Sequence, residues 1–211
     1  MTTLQFSNEA SLRDFLSALA SSDEPQDAVS ASAFAAGMGT ALLRMVAALP
    51  QTRSDAIADR TRLATSATAL ADIQEQLLET IETESAVKLF AARNMPQASE
   101  SQRVEREAAV QLALRAATDV PLEIMRLCAL GLKQAEIVAT HDCRAAASDV
   151  ELAIAFVRTA FHGARANLEG KLSVLTDVRH TTAVVDEIVR LTDETTVAVQ
   201  RAGVLVQQRP V

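Results

Sequence analysis

Residues 27–49 read DAVSASAFAAGMGTALLRMVAAL, ending at Pro50. Alanine, the best helix former, supplies much of the stretch, and the proline at its end removes a backbone donor and stops a helix. The segment therefore predicts a helix of about 23 residues. Ala31, Ala35 and Gly39 recur every four positions, placing small side chains on one face where another backbone can come close. This is the signature of tight packing within a bundle or between two copies of a chain. The uncharged run from Ala28 to Leu43 is 16 residues of mostly Ala, Ser and Gly. That is too short and too weakly apolar to predict a bilayer span.

The rest of the chain agrees. Its 211 residues are 49% apolar but only 3% aromatic, without Trp or Tyr, and 40 are alanine. Strands favour aromatic and β-branched residues, so an all-β fold is excluded. Six glycines and five prolines leave few turns and long elements. Leu12, Phe15, Leu16 and Leu19 form a short stripe. Leu63, Ala67, Leu70, Ile73, Leu77, Ile81 and Leu89 predict one long helix from about Ser54 to Arg93. Further helices are expected over about 100–117, 118–140, 148–172 and 177–207. Pro121 fits a first turn, and the Val- and Thr-rich last segment is read as helical from its charged face. The fold class predicted is all-α: an up-and-down bundle of about six long helices, residues 1–211 forming one domain.

Charge and cysteine count narrow the function. Twenty basic and 27 acidic residues give a net charge of −7, which argues against nucleic-acid binding. Two cysteines cannot build a disulfide framework. With no basic start or apolar run at the N-terminus, the expectation is a cytoplasmic protein without a membrane partner. His141, Asp142 and Cys143 are adjacent and cannot easily converge on one ion, so no metal is expected. Cys128 reads as a buried small hydrophobe. Glu75, Glu79 and Glu82 share one helical face; Arg158, His162 and Arg165 form a basic stripe that can hold an anionic ligand tail or pair with those glutamates, pairing being the commoner outcome. Ser148 or Asp149 reads as a helix cap. Asn167 follows Asp149 by 18 residues, five turns along one helix, so the two cannot touch within it.

Several segments then point to one family: Phe15–Ser21 (FLSALAS), Gly39–Leu49 (GTALLRMVAAL), Ala117–Leu122 (ATDVPL), Ala135–Ala139 (AEIVA), and Ser148-Asp149 followed by an Ala-rich helix to Asn167. Over about residues 12–177 the chain resembles the cyclodeaminase/cyclohydrolase family, which includes methenyltetrahydrofolate cyclohydrolases and the cyclodeaminase half of formiminotransferase-cyclodeaminase. The resemblance implies an all-α homodimer acting on cyclic or formimino derivatives of tetrahydrofolate, with the folate as substrate and no further cofactor. The reacting centre of such substrates is an amidinium-like cation, which a carboxylate could stabilise while orienting water. That role falls on Asp149, with Glu82 as a second carboxylate. Ser30, Asn167, Arg53 and Arg158 are the implied substrate-binding residues, Asn167 as a hydrogen-bond partner of the pterin or of a backbone segment.

The departures are selective. The family's Pro-Gly-Gly-Gly-Ser turn is here Gln26-Asp27-Ala28-Val29-Ser30, retaining only Ser30. Its lysine-rich stretch after the second helix is Pro50-Gln51-Thr52-Arg53-Ser54, and its Leu-Pro-Lys turn is Met95-Pro96-Gln97. An acidic position matches Val87, two asparagines match Cys143 and Ala145, and another matches Lys171. Two readings follow: a folate cyclohydrolase or cyclodeaminase with a degenerate glycine turn, or an inactive paralogue serving as a folate- or partner-binding helical subunit. An open cleft joining the 26–30 turn to Asp149 favours the first. Filling of the turn by Val29 favours the second. A helical adaptor, suggested only by long helices, predicts no pocket.

Overall fold

The computed structural model describes residues 11–20, 28–49, 56–81, 85–141 and 146–208. Among them are eight helices and no strand: α1 (Leu12–Ala20), α2 (Ala28–Ala48), α3 (Ile57–Ile81), α4 (Ser85–Arg93), α5 (Glu100–Ala116), α6 (Asp119–His141), α7 (Ala147–Leu172) and α8 (Val178–Gln207). The helical bundle expected from periodicity is present.

Side-chain pairs give the directions. Gly39 lies against Ala153–Val157 and Ser32 against Gly163, so α2 and α7 run antiparallel. Arg126 meets Glu187, Lys133 meets Glu194 and Arg201 reaches Glu136, so α6 and α8 run parallel. His141 at the end of α6 meets Asp59 near the start of α3, making that pair antiparallel. α2 packs on α3, α6 and α7, and α8 covers α6 and α7.

The main core is aliphatic and small. Ala36, Leu43 and Val46 of α2, Leu70 and Leu77 of α3, Met125 and Leu132 of α6, and Val157, Phe161 and Leu168 of α7 are all fully buried. Gly39 is what lets α2 lie on α7. A Cβ there would stand 2.6 Å from Val157 Cγ2 and 2.8 Å from the Ala153 carbonyl oxygen.

Of the single helix expected over 54–93, residues 57–81 and 85–93 are helical, and residues 54, 55 and 82–84 lie outside the described residues. Leu77 belongs to the main core, whereas Leu89 packs with Leu114 and Ala117 of the α4–α5 hairpin. The α5–α6 restart at Thr118–Pro121 is as expected. Its hydroxyl donates to the Arg115 carbonyl (2.6 Å) and lies 2.9 Å from His180 Nε2. The last segment is helical throughout, capped by Asp177, which accepts from the His180 amide. Of the first apolar stripe only Phe15 is buried, against Phe34 at 4.7 Å between ring centroids. Leu12 and Leu16 are exposed.

By length and composition α2 is the one described helix apolar enough to cross a membrane, and half of that window is buried in the fold. An outer stripe remains half-buried to exposed: Ala31, Phe34, Ala35, Met38, Ala41, Leu42 and Met45.

Candidate functional site

Asp149 is not a helix cap. The N-cap of α7 is Ala146, whose side chain makes no capping bond, and Asp149 sits at the third helical position. Its side chain is half-buried and holds no ion pair or hydrogen bond among the described residues. The carboxylate therefore stands in the first turn, where the helix dipole favours negative charge, without being consumed by a structural contact.

Asn167 lies on the same stripe of α7, half-buried. Eighteen residues make five turns, so both side chains leave α7 on the side that faces α2, about 27 Å apart. Between them on that stripe are Phe156 and Gly163, whose neighbours are Gly39 and Ser32 of α2. The Lys171 ammonium donates to Asn167 Oδ1.

Ser30 is half-buried in the first turn of α2. Because α2 and α7 are antiparallel, it lies at the Asn167 end of the bundle. Asp149 lies at the opposite end, level with the close of α2. The fold thus brings Ser30 and Asn167 to one end and sends Asp149 to the other. Arg158 is exposed and stands nine residues from both Asp149 and Asn167. Nine residues are two and a half turns, so Arg158 projects from the opposite side of α7. Arg53 and Glu82 lie outside the described residues.

The basic stripe does not meet the glutamate face. Arg165 donates to Glu169 at 2.7 Å, with Thr192 at 3.4 Å, while Glu75 and Glu79 are exposed on α3. Residues 26 and 27 of the turn expected to open a cleft towards Asp149 lie outside the described residues. An open groove of about 410 Å³ follows Ile57, Arg60, Thr61, Ala64, Thr65 and Thr68 of α3 and contains no proposed site residue. Val29 is buried in the main core, so an apolar side chain fills the place of a turn glycine.

Two arrangements had no sequence signal strong enough to find them. Lys171, read only as a lost asparagine, puts a cation on Asn167. His141 is nearly buried, its Nδ1 2.9 Å from the Ile137 carbonyl and its Nε2 3.3 Å from Asp59. Both neighbours are acceptors, so the ring satisfies both only when both nitrogens carry protons. A large electrostatic shift lies elsewhere. Arg190 and Arg126 hydrogen-bond Glu187 and hold its carboxyl at about 2. Burial pushes the Cys128 thiol well above its usual range, as expected for a small core hydrophobe.

The family model for formiminotransferase-cyclodeaminase matches residues 11–190.

This chain belongs to the formiminotransferase-cyclodeaminase family.

The match spans α1 to the middle of α8 and includes Ser30, Asn167 and Asp149. The fold agrees: the crystal structure of a formiminotetrahydrofolate cyclodeaminase from Thermotoga maritima superposes with a TM-score of 0.83 at 18% identity, covering 94% of this chain and 96% of that one. No curated protein sequence matches the chain significantly. The all-α resemblance read from Gly39–Leu49 and Ser148–Asn167 is therefore correct at the level of family and fold.

Proposed function

We propose that this family member works in folate one-carbon chemistry, as a methenyltetrahydrofolate cyclohydrolase or a formimidoyltetrahydrofolate cyclodeaminase acting as a cytoplasmic homodimer. The observation that carries the reading is Asp149: a half-buried carboxylate with no structural partner, on the face of α7 it shares with Asn167, in a chain that matches the family over residues 11–190. Such a carboxylate stabilises an amidinium-like carbon and takes a proton from water as oxygen adds to that carbon. In the hydrolytic direction water adds to the methenyl carbon, one C–N bond breaks, and the product is 10-formyltetrahydrofolate. Asn167 supplies a hydrogen-bonding group for the pterin, and Lys171 beside it offers a cation for an anionic part of the substrate. No metal or further cofactor enters this reading.

A second reading has its own observation. Val29 is buried where the family turn carries glycine, which supports a helical subunit that binds folate or a protein without turnover. Loss of methenyltetrahydrofolate absorbance separates the two. A rate above the protein-free blank that falls with Asp149→Asn supports the enzyme. A rate equal to the blank, with folate binding retained, supports the subunit.

A further inference from the structure

We infer that Lys171 is a positioning residue that fixes the side-chain amide of Asn167 as a donor to the substrate, so that the site selects a 4-oxo over a 4-amino pterin. The inference rests on the folate reading above and deepens it, naming which edge of the ring Asn167 reads.

An asparagine amide carries an acceptor on one side and two donors on the other. Left free, it turns whichever side suits the ligand. Lys171 removes that choice. Its ammonium has three donors and no acceptor, and it bonds Asn167 from one turn further along α7. Only the carbonyl oxygen can face it, because the flipped amide would set donor against donor. Oδ1 therefore points towards the end of α7, and the two N–H groups of Nδ2 point away from Lys171. Asn167 makes no other hydrogen bond among the described residues, so those donors are uncommitted.

The helix holds both partners in place. Ala164, Leu168 and Leu172 are buried and anchor this part of α7 in the core, leaving only side-chain torsions to vary. Lys171 stands in the last turn of α7, where the helix dipole favours a cation. Glu169, two residues before it, is turned to Arg165 at 2.7 Å. The family asparagine that Lys171 replaces can both donate and accept, and would leave Asn167 free to flip. The lysine is what commits the amide in this chain.

A pterin offers its 4-carbonyl oxygen as an acceptor beside the donors at N3 and the 2-amino group. An amide fixed as a donor takes the 4-carbonyl oxygen. An amino group in place of that oxygen sets donor against donor at the same point, and a site built for one hydrogen-bond pattern rejects the other.

The test titrates the full chain with folic acid and with its 4-amino analogue, read by calorimetry. The wild type is expected to bind the 4-oxo compound about tenfold more tightly, the value of one such hydrogen bond. Lys171→Asn and Lys171→Met, two variants so that one suffices if the other does not fold, are expected to bind both compounds with a ratio near one, because the released amide turns its oxygen to the amino group. Lys171→Arg, which also only donates, is expected to keep the preference. A purely structural role would weaken both ligands alike and leave their ratio unchanged. That result, or a wild type without preference, overturns the inference. A second measurement needs no ligand: the Asn167 Cγ resonance, assigned by its loss in Asn167→Ala, is expected to move in Lys171→Met as the ammonium bond disappears. A resonance that stays in place overturns the fixed amide. A wild type that binds neither pterin, with the Cγ resonance moving as expected, overturns the folate reading and with it the selectivity, and leaves the fixed amide standing.

Discussion

Gly39→Ala tests the contact on which the bundle depends. The added methyl would stand 2.6 Å from Val157 Cγ2, 2.8 Å from the Ala153 carbonyl oxygen and 3.3 Å from Phe156 Cβ. Val157 is fully buried and cannot swing away. The carbonyl belongs to the α7 backbone and moves only if the helix moves. Alanine gains about 1 kcal/mol of helix propensity over glycine. Overpacking a tight contact costs about 1–3 kcal/mol, and more where the neighbour is backbone. Two rigid contacts below 3.0 Å place the substitution at the upper end, for a net loss of about 2 kcal/mol. In a domain of this size that lowers Tm by about 4–8 °C. Thermal and urea unfolding followed by circular dichroism read it directly. Gly170→Ala and Gly203→Ala are the controls, because a methyl at either position meets nothing within 4 Å. Each is expected to raise stability by about 0.5–1 kcal/mol. Gly39→Ala behaving like these controls would refute the claim that α2 and α7 need the glycine.

Other consequences concern charge, a loop and a thiol. Glu187, held at about 2 against an ordinary 4.5, stabilises the fold above its unfolded value, and that contribution is lost as pH falls from 4.5 towards 2. Melting curves across that window are expected to fall more steeply for the wild type than for Glu187→Gln, and to converge below it. Gln111 accepts from the Thr176 amide at 2.9 Å and donates to the Val174 carbonyl at 3.1 Å, tying the α7–α8 connection to α5. Gln111→Ala is expected to speed hydrogen exchange at the Thr176 amide while leaving the buried α6 amides protected. In a Cys143→Ser background, Cys128 is expected to resist thiol reagents in the native protein and react once it is unfolded; labelling at the native rate of a free thiol would contradict its burial.

The helices were legible because their signals are local. Alanine content, the proline at position 50 and the spacing of Leu63, Leu70 and Leu77 all act within a few turns. Two features were not local. Leu77 and Leu89 belong to different apolar clusters, which periodicity along the sequence does not record. The assignment of Asp149 as a cap failed because Ala146 is the N-cap of α7, and the residue that starts a helix depends on the chain arriving at it. The five-turn separation of Asp149 and Asn167 was readable, and so was their common face. Which end of the bundle each occupies required the antiparallel α2–α7 contact at Gly39 and Gly163. Arg158 shows the same limit in reverse: its spacing from Asp149 already places it half a turn away, on the side of α7 that looks away from α2. Lys171 on Asn167 and His141 on Asp59 depend on side-chain reach at helix ends, where residue type alone says little.

The most direct measurement is the rate of methenyltetrahydrofolate hydrolysis by the wild-type chain, by Asp149→Asn and by a protein-free blank under identical conditions. A folate enzyme centred on Asp149 is expected to exceed the blank clearly and to lose most of that excess, at least about 100-fold, when the carboxylate becomes an amide. A wild-type rate above the blank that Asp149→Asn leaves unchanged would contradict the role assigned to Asp149, and a wild-type rate equal to the blank would contradict the cyclohydrolase itself.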